Sequence, residues 1–319
     1  MEWFVGHQSA LEFWRRAQAS EAMAGEKLRA CKPPTKLTDA RGLHFESPFR
    51  LSKPLHILVG DDNARKAAKN FTNHISSMKY PGGSFIRVAP EIIMSTPELC
   101  FVQMASEYTL FQLVMLGFEF CGSYRLDKEV DPKRGFRDDI PLTSVAKLSA
   151  YIAKLEGMKG VKNARRALRF IANGSASPME TILAMLLTLP YRFGGFGFPL
   201  PLLNCPVEVS VSFGRVKRKL KYDCDIYWPD EQVDVEYDSD FYHTNEERIA
   251  KDAIRRNALS TVGVTVVTVS RMQIYNTAEL RKVAEVLSKQ LDRQLRLPMP
   301  EFTKKHAALR RQLLSKSSN

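Results

Sequence analysis

Residues Tyr222–His243 read YDCDIYWPDEQVDVEYDSDFYH, two strand-like runs separated by a Pro229-centred turn. Asp223 and Asp225 stand two apart on the first run, and Asp234, Glu236 and Asp238 on the second. A period of two puts each set on one face of its strand. Strands disfavour Asp, and aligned carboxylates repel one another. A hard divalent cation removes that repulsion, because Mg²⁺ or Mn²⁺ prefers carboxylate oxygen and water. The stretch therefore predicts two neighbouring strands that carry a cation cage, with Asp225 and Glu236 as metal ligands. Their neighbours Cys224, Ile226, Val235 and Tyr237 are mostly apolar, so the opposite side of each strand meets a core.

The elements around this stretch give it a setting. A helix from Pro178 to about Leu189 comes first, then a Gly/Pro-rich loop, then the alternating strand PVEVSVSF. GRVKRKLKY reads as a turn into the second strand, and QVDVEYDS is the third. NEERIAKDAIRRNALSTVG predicts a helix, VTVVTVS a β-branched fourth strand and TAELRKVAEVLSKQLDRQL a closing helix. The order helix–strand–strand–strand–helix–strand is α/β, with the acids at one end of the sheet. Upstream, residues 1–42 read as a helical arm with Ala10, Phe13, Trp14 and Ala17 on one stripe. Residues 43–135 read as a separate α/β unit. In it LHILVG is a strand, DDNARKAAKNFTNHISSM a helix, and Ser95–Tyr124 one long helical stretch opened by the capping signal Ser95-Thr96-Pro97-Glu98. Residues 136–176 read as a helical linker, 177–293 as the domain holding the acids, and 294–319 as a basic, fraying tail.

The chain has 319 residues, 44% of them hydrophobic, and a formal charge of +12. An excess of positive charge suits a polyanionic partner, nucleic acid before an anionic membrane. Its cysteines, Cys31, Cys100, Cys121, Cys205 and Cys224, are odd in number, scattered and without a C-x-x-C pair, which fits a reducing cytoplasm and argues against a zinc ribbon or disulfide framework. The first residues carry Glu2 and no long apolar run, unlike a signal peptide, and TILAMLLTLPY is too short to span a bilayer. His44, His56 and His74 are isolated in sequence and read as structural.

Residues 177–275 resemble the PD-(D/E)xK nuclease superfamily, in particular the branch of very-short-patch-repair endonucleases. The matching residues are Glu180 on the early helix, Asp225 in DIYWP, Glu236 and Asp238 in VEYDS, His243 beyond the strand, and Asp252, Arg255 and Arg256 on the next helix. The resemblance implies a restriction-endonuclease-like mixed sheet flanked by helices, preceded by a separate, mostly helical α/β region. It also implies a Mg²⁺-dependent site with Glu180, Asp225, Glu236, Asp238 and His243 as catalytic residues. Two positions depart from the pattern. Asp238 stands in place of the signature lysine, leaving Lys221, Lys251 or Arg248 to supply that charge, and Ser239 stands where the branch has Gly. Ser84–Ala105 and Leu116–Tyr124 resemble segments of proteins grouped with abortive-infection antitoxins of the AbiEi type, which implies a prokaryotic defence setting.

Each residue also has a plainer reading. Ser177-Pro178-Met179-Glu180 is a capping box, so Glu180 could serve the helix alone. Asp223 and Asp234 read as rim charges or salt-bridge partners. Arg255 and Arg256 lie at pairing distance from Asp252 along the helix. Arg215, Lys217, Arg218, Lys219 and Lys221, with Lys251 and Arg255, are the candidate contacts to nucleic acid, DNA before RNA; otherwise the lysines guard a sheet edge. Tyr191, Phe193, Phe196 and Phe198 could stack on bases but suit a core better. Two function classes follow: a metal-dependent endonuclease, or a nuclease-fold protein that has lost catalysis and acts as a nucleic-acid-binding regulator.

Overall fold

The structure, a computed structural model, describes residues 2–35, 51–65, 69–127, 129–213, 216–238, 246–295, 297 and 300–314. The chain divides into two compact units, Met1–Ile171 and Ala172–Asn319. Both are α/β, with mixed sheets flanked by helices.

In the first unit the chain runs β1 (Trp3–Val5), α1 (His7–Arg16), α2 (Ala19–Ala22), β2 (Glu26–Lys27), β3 (Leu55–Val59), β4 (Phe71–Ile75), β5 (Phe85–Ala89) and β6 (Ile92–Ser95). It continues through α3 (Pro97–Met104), α4 (Leu110–Cys121), β7 (Tyr124–Leu126), β8 (Phe136–Asp138), α5 (Val145–Ala153) and α6 (Val161–Leu168). The main sheet has the order β2-β5-β6-β1-β3-β4. β1 lies inside it, parallel to β6 and antiparallel to β3. Residues 2–35 are therefore not a separate arm. Trp3, Phe4 and Val5 are buried, and α1 puts Ala10, Leu11, Phe13 and Trp14 into the same core, where Trp14 Nε1 donates to the Ser95 carbonyl at 2.8 Å.

Three further expectations change here. The helix expected over Asp61–Met78 is a short 3₁₀ turn at Asp62–Ala64 followed by β4, whose Phe71, Asn73 and His74 pair in parallel with β3. The long helix expected over Ser95–Tyr124 is two, because the Thr109 side chain and Gln112 form a capping box that starts α4 afresh. Residues 136–176 do not form a linker. α5 packs on α3 and α6 on α4, burying Leu148, Ile152, Val161, Ala164 and Ala167.

The second unit runs α7 (Pro178–Thr188), β9 (Leu202–Phe213), β10 (Val216–Trp228), β11 (Val233–Asp238), α8 (Glu246–Thr261), β12 (Thr265–Ser270), α9 (Arg271–Tyr275), α10 (Thr277–Gln290) and α11 (Glu301–Leu314). Its sheet has the order β12-β11-β10-β9. The β9–β10 and β10–β11 pairs are antiparallel, and α8 crosses over to make β12 parallel to β11. α7 is apolar all round from Thr181 to Thr188 and wholly buried there, as such a helix must be. Two expectations fail in this unit. The basic run after Gly214 is strand from Val216 onward rather than a turn. The described part of the tail, Glu301–Leu314, does not fray: α11 buries Phe302, His306, Leu309 and Leu313, and His306 Nδ1 lies 2.7 Å from the Gly194 carbonyl. Phe302 meets Phe196 at 5.6 Å between ring centroids, so Phe196 is a core residue, as is the buried Phe198.

Candidate carboxylate site

The β10–β11 register pairs Trp228 with Val233, Tyr227 with Asp234 and Ile226 with Val235. Where that ladder ends, a side chain takes over: the Tyr237 backbone N–H donates to Asp225 Oδ2 at 3.0 Å. Asp225 is half-buried, and burial pushes its carboxyl above the usual range, against the opposing pull of the Tyr237 N–H and of Arg255.

Asp234 is the residue that sequence reasoning misplaced. It is not on the rim but fully buried, at 0% exposure, on the strand between β10 and β12. The Ile226 N–H reaches its Oδ1 at 3.4 Å. Its Oδ2 and Glu236 Oε1 are both buried without an aligned hydrogen-bond donor, while the two carboxyl groups interact directly. Two carboxylates cannot bond unless they share a proton or a cation. Burial first, and the neighbouring Glu236 second, push the Asp234 carboxyl up, so the pair holds a proton more tightly than either acid would alone. Burial also pushes Glu236 up, opposed by Arg255. Sequence alternation did mark Asp234 and Glu236 as same-face residues; it could not say which face is covered.

Arg255, on α8, forms an ion pair with Glu236 Oε1 at 2.9 Å and also reaches the Asp223 carbonyl. The ion pair is one of charge and proximity rather than of hydrogen-bond alignment. The expected pairing with Asp252 is therefore replaced. Arg256 Nε lies 3.4 Å from the Asp252 main-chain carbonyl, not its carboxylate. The basic group set on Glu236 is Arg255, whereas Lys221 pairs with Glu208 at 3.3 Å. Lys251 is exposed on α8.

Ser177 caps α7, but the expected capping box is not closed, because the Glu180 carboxylate turns to the Ala176 N–H and Asn204 rather than to the Ser177 N–H. The Glu180 N–H donates to Ser177 Oγ at 3.1 Å, and its carboxylate accepts from Ser177 Oγ at 3.0 Å and from the Ala176 N–H and Asn204 Nδ2 at 2.9 Å each. Burial and the nearby charge of Asp225 nevertheless push it up. Glu180, Asp225, Asp234 and Glu236 thus form one electrostatic cluster, each carboxyl raised chiefly by burial. Its members do not close into a cage in this state: among the described residues no three of these acids bring their oxygens within 4.8 Å of one another. Asp238 ends β11 half-buried and outside the Asp234–Glu236 contact. His243, Ser239 and Arg215, and the side chains of Lys217 and Arg248, lie outside the described residues.

The basic run is one strand of a hairpin that outreaches the sheet. β10 pairs with β9 from Val216 to Tyr227, whereas its register with β11 covers Ile226 to Trp228. Val207, Val209 and Tyr222 pack toward Leu259 of α8. Lys219 and Lys221, in register with Ser210 and Glu208, are exposed at 74% and 68% and share the Glu208 carboxylate. Arg218 is exposed.

No family model, no curated protein and no solved structure matches this chain. No helix among the described residues is long and apolar enough to cross a membrane.

Proposed function

We propose that the second unit is a metal-dependent nuclease of restriction-endonuclease-like fold that hydrolyses nucleic-acid phosphodiesters, DNA before RNA. The observation that carries this reading is the buried Asp234–Glu236 contact, in which two oxygens lack an aligned donor, with Asp225 near enough for its charge to raise both acids. The donor set fits a hard divalent cation: the oxygens are carboxylate, the pair already needs a positive charge between them, and a tyrosine N–H orients Asp225. Mg²⁺ or Mn²⁺ would be held by Asp225 and Glu236. When bound, such an ion supplies an activated water and neutralises charge on the phosphodiester. While no cation is bound, a proton shared by Asp234 and Glu236 relieves their repulsion. Arg255 sets a positive charge beside Glu236, a role the absent signature lysine leaves open. Glu180 fixes the start of α7 and adds negative potential at Asp225. The hairpin lysines gather phosphate charge. A prokaryotic defence setting belongs to the same proposal.

A second reading, a nucleic-acid-binding protein without catalysis, is favoured by one observation: Arg255 already neutralises Glu236, and the Glu180 carboxylate is held by the Ala176 N–H, Ser177 Oγ and Asn204. Asp225→Asn separates the two. Asn keeps the volume and loses the charge that holds a cation, while binding rests on Lys and Arg. Wild type and variant are assayed on single- and double-stranded DNA and RNA with Mg²⁺, Mn²⁺ or chelator. The expected outcome is metal-dependent cutting by the wild type, roughly a thousandfold less by the variant, and equal or tighter binding by the variant. Cutting that persists in the variant removes Asp225 from the chemistry. A wild type that binds but never cuts establishes the second reading.

A further inference from the structure

Four side chains far apart in sequence meet at one corner of the first unit. His7 opens α1, His56 lies on β3, His74 lies on β4, and Glu107 follows α3. His7 Nδ1 sits 2.6 Å from Glu107 Oε1. The His7 and His74 rings stack at 3.5 Å, only 10° from parallel. One ligand atom each from His7, His74 and Glu107 lies within 4.8 Å of the others. His56 Nδ1 is 3.0 Å from His74 Nε2, the kind of contact that fixes the tautomer and aim of a ligating imidazole.

The backbone is strained to make this arrangement. His7 has φ +50, in the left-handed region that a side chain with a Cβ avoids. It is held there from both sides. The His7 N–H donates to Gln103 Oε1 at 2.9 Å, and Gly6 just before it is packed so closely that a Cβ would fall 2.3 Å from Leu58 Cδ1. Strain that surrounding packing maintains collects where a side chain must be aimed.

We propose that His7, His74 and Glu107 form a binding site for a borderline divalent transition metal, zinc first, with His56 orienting His74. Two imidazoles and one carboxylate are a zinc donor set, and three protein ligands leave a position for water. Zinc bonds of about 2.0–2.1 Å separate tetrahedral ligand atoms by roughly 3.4 Å. His7 and Glu107 need open by less than about 1 Å to admit the ion, and no pair of ligand atoms has more than about 1.5 Å to close. One imidazole must also turn out of the stack, because parallel rings aim their in-plane lone pairs along parallel lines rather than at one ion. His7 and His74 are half-buried and Glu107 is exposed, so the ion has a path in. Burial and the neighbouring imidazoles hold His74 down at about 3, so its ring is neutral and keeps a lone pair; Lys159 is the other basic group that acts on it. The donor set differs in kind from the oxygen-only cluster of the second unit, so one chain would carry a soft-leaning and a hard metal site.

The test uses the full chain, stripped of metal and titrated with Co²⁺ alone, then with Zn²⁺ alone. Cobalt in a nitrogen-containing four-coordinate site shows visible ligand-field bands that zinc abolishes. The expected result is one equivalent of Co²⁺ with such bands, displaced by Zn²⁺, and a higher melting temperature with either ion. Glu107→Gln, at an exposed position, leaves the circular dichroism unchanged and weakens Co²⁺ affinity roughly tenfold or more. His74→Asn does the same, and His56→Ala weakens affinity about tenfold. Asp225→Asn leaves the bands intact, which separates this site from the carboxylates. Absence of bands in the wild type, bands undiminished in the Glu107→Gln/His74→Asn double variant, or bands lost in Asp225→Asn would each overturn the proposal.

Discussion

Asp234 shows how much a single residue's surroundings change its chemistry. Its folded-state carboxyl holds a proton well above the ordinary value of 3.8, because burial and Glu236 both oppose ionisation. The unfolded chain releases that proton at the ordinary value. Between the two values the folded state binds more protons than the unfolded one, so stability falls as pH rises and levels off above the folded value. Each unit spanned costs about 1.4 kcal/mol. In chelator, the melting temperature of the wild type should therefore decline as pH climbs from about 4, the ordinary Asp range. Asp234→Asn should decline less steeply and match or exceed the wild type at neutral pH, since an amide can donate to Glu236 without titrating. Parallel melting curves for the two proteins would show that Asp234 carries no such proton. The spacing of Asp234 and Glu236 was legible as strand alternation. The burial of Asp234 was not, because it depends on β12 and α8 closing over it. Nor was the partner of Arg255 legible: Glu236 lies nineteen residues before it in sequence, and Asp252 on the same helix is the nearer carboxylate to suggest.

At the scale of elements, strongly periodic segments announced themselves and weakly marked ones did not. β12 is a run of β-branched residues and α7 an unbroken apolar helix, and both were legible. β4 was not: FTNHI is short and polar, and only parallel pairing with β3 makes it a strand. The start of β10 reads as a turn because lysine-rich sequence looks like loop. Its pairing partner, VEVSVSF, carried the strand signal instead. This hairpin has a clear expectation. Lys219 and Lys221 are exposed and tied to a single carboxylate, so both can exchange Glu208 for phosphate at little cost. Replacing Arg218, Lys219 and Lys221 with Ala should weaken binding to DNA of any sequence alike. The slope of log affinity against log salt should flatten by about 0.9 for each phosphate no longer neutralised. An unchanged slope in a salt titration would make the run a solvated edge.

The whole molecule differs most from its sequence in how the segments combine. Arm, α/β unit and linker are one folded unit, because long-range pairing, invisible to local periodicity, joins them. The contrast yields a decisive prediction. A dispensable arm could be removed without effect. Here residues 2–6 supply β1, hydrogen-bonded to β6 on one side and β3 on the other, with Trp3 stacked on Phe71 at 5.3 Å and Phe4 against Phe85 at 4.9 Å. Deleting them strands the backbone groups of two ladders in the core, each unpaired group costing about 1–3 kcal/mol. It also removes the buried side chains of Trp3, Phe4 and Val5, worth about 1.5–3 kcal/mol apiece. Together these effects rival or exceed the roughly 5–15 kcal/mol by which a domain is stable. Hydrogen exchange should therefore find the amides of β3, β6 and α3 unprotected in the truncated chain and protected in the intact one. A single substitution, Phe4→Ala, should cost about 3–5 kcal/mol and leave enough structure to measure an unfolding transition. Native protection of β3 and β6 without residues 2–6 would mean that β1 is an addition to a sheet that closes on its own.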